Sequence, residues 1–289
     1  MTERIAIYTT IDGNYLNQGI IALKSFMRFY PEFDFFIIGN KDLFDDSQLN
    51  LISFFNINFL HCDKNKKFEK SSSWWPSTCY LMLFAPEMLY KEGYKYSLGI
   101  DADVLCTKKF DIKEIFDNTY NFSGIKNYPI IGNLHSQYRE KFIEKNKLSK
   151  IDLDLFNPNT GVMFWNNQKM AELDFSENIS NLYEKYNEKL IYGDQALFAI
   201  YILLNKVQYN ILSYKYNFRT GDPDDSAINP CLKDLNIIHY TSPKPWKSLC
   251  KKKNFKYNKK WWEFGFKIMI KIYLYRLLNK KFKVIKNGI

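Results

Sequence analysis

Arg4 to Asn40 reads RIAIYTTIDGNYLNQGIIALKSFMRFYPEFDFFIIGN, and its hydrophobic period changes twice. Arg4 to Thr9 (RIAIYT) is a β-branched and aromatic run of the kind a buried strand uses. A polar turn, TTIDGN, follows. Leu16, Ile20, Leu23, Met27 and Tyr30 then recur at spacings of four and three, one face of a helix that Pro31 ends. Asp34 to Ile38 (DFFII), backed by Gly39, reads as the next strand. Asp45 is placed to cap a helix through Phe55, and Ile57 to Leu60 (INFL) is a third strand. Strand and helix thus alternate over the first 60 residues. That is the pattern of a parallel sheet covered by helices, whose ligands sit beyond the C-terminal ends of the strands.

Further along, Thr78 to Tyr90 is helix-like and leads into YKYSLGI and Asp101. Later strands are expected at Gly161 to Trp165 and Ile237 to Tyr240, and helices around Lys169 to Lys189 and Asp194 to Asn205. Asn217 to Pro230 is a polar, turn-rich loop. With 289 residues, the chain is long enough for one large domain with a full core. No repeat or linker divides it, so residues 1–245 are read as one α/β domain and residues 246–289 as a tail.

The formal charge of +10 is unevenly spread. From Lys244 onward there are 15 Lys and Arg against Glu263 alone, or +14; the preceding 243 residues hold 26 bases and 30 acids, or −4. A mildly acidic body disfavours nucleic acid as a partner and assigns the basic surface to the tail. The five cysteines are widely spaced with no CxxC pair, so neither a disulfide framework nor a zinc site is indicated. The N-terminus lacks the pattern of a secretory signal. The longest uncharged apolar stretch, Gln195 to Asn205, is about half of the ~20 residues a spanning helix needs. These features point to a cytoplasmic protein.

D-x-D occurs three times: Asp101 with Asp103, Asp152 with Asp154, and Asp222 with Asp224. Only Asp101 and Asp103 follow a buried-looking strand, where side chains two apart leave the same side of an extended chain. Carboxylates so placed can share one hard divalent cation, and without a cation or a basic partner each disfavours the other's charge. The competing reading is a pair of solvated turn aspartates.

After IDADVLC come Asn159-Thr160-Gly161, Gly193-Asp194-Gln195, Ile237-Ile238-His239-Tyr240 and Lys244-Pro245-Trp246. Taken in order, from about Arg4 to Trp246, these segments resemble glycosyltransferase family 8, enzymes of the GT-A fold. The resemblance implies a single Rossmann-like domain, dependence on Mn²⁺ or Mg²⁺, and retaining transfer of glucose or galactose from a UDP-sugar to a glycan or lipid-linked acceptor, as in lipooligosaccharide or surface polysaccharide synthesis. It implies further that Asp101, Asp103 and His239 ligate the metal and that Lys244 meets the diphosphate. Thr10, Asp12 and Tyr15 would contact uracil and ribose, and Asn159, Asp194 and Gln195 would line the donor-sugar and transfer site. The residue types suit these roles. Two carboxylates and an imidazole form a hard mixed donor set, and an amide beside a carboxyl can orient sugar hydroxyls.

Two departures stand out. Met82 occupies the place of a donor-contacting arginine in the family's Y-x-R-L-L-x-P pattern. In the closing motif Ser242 replaces a glycine, and the lysine falls five residues after the histidine instead of six. Of the other candidates, His61 and His135 read as surface residues, Trp74 and Trp75 as core or acceptor-stacking residues, and Asp222, Asp224 and Asp225 as a turn. In the tail, Lys256, Lys260, Glu263, Lys267 and Lys271 form one polar helical stripe. That leaves Trp261, Trp262, Phe266, Ile268, Met269 and Ile272 to the remaining surface, suited to an anionic membrane. Two other functions stay open on sequence alone: a nucleotidyltransferase, which ordinarily needs a basic glycine-rich loop that TTIDGNY lacks, and a non-catalytic membrane or nucleic-acid adaptor.

Overall fold

Alternating side chains on the first strand decide how the chain is layered. A computed structural model describes residues 3–64, 68, 76–125, 136–149, 158–190, 192–221, 229–247 and 255–286. It begins with β1 (Ile5–Thr10), α1 (Leu16–Met27), β2 (Asp34–Gly39), α2 (Asp46–Phe54) and β3 (Asn58–His61), close to the expected bounds. Ile5 and Ile7 of β1 and Phe35 and Ile37 of β2 enter one hydrophobic core. Ala6 and Tyr8, with Phe36 and Ile38, enter a second core on the opposite face. Both faces of the sheet are therefore covered, as the near-continuous apolar runs require. Asp45 caps α2 by accepting from Gln48 N at 2.8 Å, while Gln48 Oε1 accepts from Asp45 N at 2.9 Å, a reciprocal capping box.

The expected helix at Thr78 to Tyr90 is a 3-10 turn, Ser77–Tyr80, running into α3 (Leu81–Lys91). Pro86 lies inside α3 and has no N–H for the carbonyl four residues back, that of Met82. The buried Tyr8 hydroxyl donates to that carbonyl at 3.1 Å instead, so strand β1 supplies the bond the helix lacks.

After α3 come β4 (Tyr96–Ile100), β5 (Val104–Cys106), α4 (Ile112–Asp117), β6 (Phe122–Gly124), α5 (Ser136–Lys145) and β7 (Val162–Asn166). The expected single helix over 169–189 is two, α6 (Asn167–Glu172) and α7 (Phe175–Tyr186), separated where Asp174 adopts a left-handed φ of 48°. Then follow α8 (Gly193–Asn205), β8 (Tyr209–Ile211), β9 (Phe218–Arg219), β10 (Ile237–His239) and α9 (Phe255–Lys286).

The main sheet has the order β3-β2-β1-β4-β7-β6-β8. β3, β2, β1 and β4 run parallel, β7 is antiparallel to both β4 and β6, and β8 is parallel to β6. A second sheet, β5-β10-β9, packs beside it. The mostly parallel α/β architecture is thus as expected. The strand order places the end of β1, the end of β4 and the start of β7 along one edge.

The tail differs from its expected orientation. Tyr257, Trp261, Ile268 and Ile272 are buried in the same core as β1 and α1, so Trp261, Ile268 and Ile272 face the body and not the surroundings. Trp262 is half-buried and donates from Nε1 to Pro245 O at 3.1 Å. The apolar face left outward is Phe266, Met269, Ile270, Tyr273, Leu274, Leu277 and Leu278, which recurs at three- and four-residue spacing. The sequence pattern misleads because α9 is apolar on two sides, and periodicity alone does not say which side meets the body. Among the described residues no helix is long and apolar enough to cross a membrane.

Trp261→Ala is expected to cost about 3–5 kcal/mol, the range for deleting a buried aromatic side chain. Phe266→Ala, at an exposed position, should change stability by no more than about 0.5 kcal/mol. Urea unfolding of the two variants checks which face of α9 is buried.

Candidate active site

Strand β4 delivers Asp101 and Asp103 to the sheet edge. Asp101 N–H donates to Gly161 O at 2.9 Å, extending the β4–β7 pairing by one step. Asp103 is fixed because its carbonyl accepts from Tyr240 N at 2.9 Å where β5 meets β10. In that antiparallel pair His239 lies opposite Val104, and the imidazole turns to the aspartates. His239 Nε2 stands 3.5 Å from Asp101 Oδ2 and 3.3 Å from Asp103 Oδ1. One ligand atom from each residue lies within 4.8 Å of the others.

The Asp103 and His239 side chains are only 9% and 4% exposed, whereas Asp101, at 46%, opens to solvent. Octahedral coordination at about 2.1 Å gives neighbouring ligands a separation near 3 Å, so two oxygens and a nitrogen at these distances fit Mg²⁺ or Mn²⁺ with little adjustment. Zinc more often recruits additional His or Cys ligands. Among the described residues, Asp101, Asp103 and His239 are the group able to hold a metal.

Lys244 completes the group, its ammonium bonded to Asp103 Oδ2. The lysine five residues after the histidine therefore reaches the cluster despite the shortened loop. Burial alone would raise the pKa of Asp103, but His239 and Lys244 outweigh it and hold the carboxyl well below the usual carboxylate range. Asp101 shifts the other way, raised by burial and by the charge of Asp103. Burial pulls the Lys244 pKa down, yet Asp103 and Asp101 leave it raised overall. One carboxylate is thus firmly ionised while its neighbour lacks a full counter-charge, the imbalance that a divalent cation corrects.

Gly161 allows the imbalance to be built so tightly. A Cβ at this position would lie 2.2 Å from His239 Cε1 and 2.8 Å from Asp101 Oδ2, so any side chain would displace a ligand.

A cleft of about 150 Å³ opens beside the cluster, lined by Asn159, Thr160, Tyr192, Asp194, Gln195 and Cys79 together with the ligands and Lys244. It is smaller than the roughly 300–1,000 Å³ of sites that enclose a drug-sized ligand. Asn159 Nδ2 donates to Gln195 Oε1 at 3.2 Å, joining the expected N-x-G and D-Q segments in space. Gly193, at a φ of 52°, is in the left-handed region that favours glycine and turns the chain into α8, which sets Asp194 in that helix's first turn. Burial, followed by the charge of Asp101, pushes the Asp194 carboxyl up to about 7. Burial raises the Cys79 thiol well above its ordinary value, so this sulfur is not an activated nucleophile.

Thr10 ends β1, Asp12 and Tyr15 follow it in the adjacent loop and 3-10 turn, and none of the three lines the cleft. Asp12 accepts from Asn14 N at 2.9 Å and Tyr15 N at 3.3 Å, which caps the following turn, and Tyr15 stands near enough to Lys244 to affect its charge. Met82 is 2% exposed and packs on Gly99 and Tyr8. The place of the family's arginine is thus in the core, and Met82 is not part of the cleft wall.

His61 is exposed, as expected, and accepts from Lys41 N at 3.1 Å. His135, Trp74, Trp75 and the other two D-x-D pairs lie outside the described residues. Sequence reasoning missed Asn217, fully buried and 3.0 Å from His239 Nδ1 through its Oδ1. Its signal is faint, since it opens a stretch that reads as a polar loop. A larger cavity of about 540 Å³ lies between β5 and α9 and shares no lining residue with the cleft.

The pH dependence of stability isolates Asp194. The folded protein keeps its proton up to pH about 7, whereas an unfolded chain releases it near 3.9. Its contribution to stability is complete below pH ~4 and is lost as pH rises to about 7. Asp194→Asn should remove this slope and gain a few kcal/mol relative to the parent between pH 5 and pH 8, measured by urea unfolding in EDTA.

Comparison with known proteins places this geometry. Residues 6–250 match the model of glycosyl transferase family 8. No curated protein sequence matches. Among solved structures, the galactosyltransferase LgtC in complex with donor and acceptor sugar analogues is 18% identical, with a TM-score of 0.64 over 90% of this chain and 95% of that one. The glycosyltransferase GlyE of Streptococcus pneumoniae is 19% identical in its apo form, with a TM-score of 0.63 over 91% of this chain and 60% of that one. Mouse xyloside xylosyltransferase 1 is 15% identical, with a TM-score of 0.56 over 84% and 99%. These likenesses establish a shared GT-A architecture, and the family match runs from β1 past the closing lysine. The chain is a member of glycosyltransferase family 8, and a glycosyltransferase.

Proposed function

We propose that the protein is a metal-dependent, retaining hexosyltransferase that moves glucose or galactose from a UDP-sugar to a glycan or lipid-linked acceptor, in lipooligosaccharide or surface polysaccharide synthesis. The observation that carries this reading is the convergence of Asp101, Asp103 and His239 within 4.8 Å, with Lys244 on the same carboxylate. When bound there, a divalent ion neutralises diphosphate charge as the sugar leaves. Lys244 adds a second positive charge that can exchange Asp103 for a phosphate oxygen. Asn159 and Gln195 present amide groups to sugar hydroxyls. Thr10, Asp12 and Tyr15, beside the cleft, are assigned to the uridine.

Asp194, the carboxyl beside Gln195 in the cleft, is buried and set in the first turn of α8, where it suits a hydrogen bond to a hydroxyl. That favours front-face transfer over a covalent intermediate. A nucleotidyltransferase or a non-catalytic adaptor has no comparable support once family and cleft are considered together.

The reading extends to the tail, which we assign to the cytoplasmic face of an anionic membrane. The outward stripe from Phe266 to Leu278 is flanked by Lys267, Lys271 and Arg276. Apolar insertion and attraction to acidic headgroups therefore act together, each nearby base contributing about 1 kcal/mol.

Incubation with Mn²⁺ and each UDP-sugar in turn should release UDP by slow hydrolysis from UDP-glucose or UDP-galactose. EDTA should abolish release, and Asp101→Asn should lower it by roughly 10²–10³-fold, the usual loss for one electrostatic stabiliser. Silence with every donor at saturating Mn²⁺ rejects the donor assignment. Co-sedimentation with phosphatidylglycerol vesicles tests the tail: the double variant Tyr273→Asp, Leu278→Asp should stay in the supernatant while the parent pellets, and added salt should weaken the parent's binding.

A further inference from the structure

The polarity of one buried hydrogen-bond chain is set by a backbone group. Gly161 N–H can only donate, and it meets Asn159 Oδ1 at 3.2 Å, which makes that end of the amide the oxygen. The same oxygen lies 2.9 Å from Asn217 Nδ2, so Asn217 donates there and its other end, Oδ1, is an acceptor. That acceptor stands 3.0 Å from His239 Nδ1. Two acceptors cannot share a bond without a hydrogen between them, so Nδ1 carries one.

The lone pair of the neutral ring is then on Nε2, the nitrogen that faces Asp101 and Asp103. At the far end, Asn159 Nδ2 donates to Gln195 Oε1 at 3.2 Å. Gln195 is left to present its own N–H groups to the cleft.

We propose that Asn217 is a positioning residue: it holds His239 as the Nδ1–H tautomer that leaves Nε2 free for a divalent cation, and through Asn159 it ties that ring to Gln195 in the transfer cleft. The proposal rests on the cation-site reading above. Asn217 is suited to the task because it is fully buried, so an unmet amide there is costly. Its backbone is pinned by N–H donation to Tyr214 O at 3.1 Å, immediately before β9 pairs with β10. Partners that orient a ligating histidine typically account for a 10–100-fold difference in metal affinity.

The test begins with the unsubstituted full-length chain. Long-range ¹H–¹⁵N correlation spectra of the imidazoles, without metal and with the ring neutral, are assigned by loss of one signal in His239→Ala. His239 should show a protonated Nδ1 and a bare Nε2; a protonated Nε2 with a bare Nδ1 overturns the proposal and needs no variant. Mn²⁺ binding is then followed by the electron paramagnetic resonance of the free ion.

Asn217→Leu, close in volume but without hydrogen bonds, should weaken Mn²⁺ binding about 10–100-fold and mix the two tautomers. Asn217→Asp keeps the acceptor and loses the donor, so it should recover most of the Mn²⁺ affinity while donor turnover stays low because Asn159 and Gln195 are released. Unchanged affinity and an unchanged nitrogen pattern in Asn217→Leu overturn the proposal. If the parent binds no Mn²⁺ at all, the cation reading fails, and the nitrogen pattern alone still decides whether Asn217 sets the tautomer.

Discussion

The antiparallel register of β5 against β10 governs the site. With Ile237 opposite Cys106, Ile238 opposite Leu105 and His239 opposite Val104, the imidazole falls on the side of the pair where Asp103 has just left the extended chain. A slip of one residue would send His239 to the other face and replace it with Ile238 or Tyr240, neither of which offers an imidazole nitrogen. Burial supports the register: Ile237, Ile238 and Tyr240 are fully buried, so a slip would force each into a space shaped for its neighbour and bury the imidazole among hydrocarbons. Hydrophobic packing, which carries no chemical information of its own, thereby aims a functional group.

Electrostatics explains why such packing is needed. Two carboxylates this close repel one another, even with Asp101 open to solvent. The split in their behaviour, Asp103 held ionised and Asp101 raised, records an unresolved repulsion. Lys244 offsets part of it through its ion pair with Asp103. His239 is clamped between Gly161 on one side and Asn217 on the other. The site thus combines two buried candidate ligands, Asp103 and His239, with one that faces solvent, Asp101, and one counter-charge, Lys244.

Much of the fold was legible because its early elements are periodic. Leu16, Ile20 and Leu23 point where their spacing says, and the Asp45 cap forms as its residue type suggests. The order of D-x-D, N-x-G, D-Q and closing histidine was also readable, since each motif is short and local. What escaped was set by tertiary context. The helix expected over 169–189 breaks because Asp174 takes a left-handed conformation, and an aspartate there gives little warning. Met82 could be seen to depart from an arginine pattern, but not that its side chain packs into the core against Gly99. Asn217 was invisible as a functional residue because nothing in a polar, turn-rich stretch marks the one asparagine that is buried.

The tail shows most clearly how physical context overrides pattern. Its charge suggests a foot that could be detached, yet Tyr257 and Trp261 belong to the same core as Ile7 and Leu23. Its polar contacts reach the catalytic strands as well. Tyr240, the residue after His239, donates its hydroxyl to Tyr257 O at 2.9 Å, and Trp262 holds the carbonyl of Pro245, next to Lys244. At its other end Arg276 donates to Asn17 Oδ1 at 2.9 Å, at the start of α1 and close behind Tyr15. The helix therefore bonds both to the closing segment and to the first turn of α1.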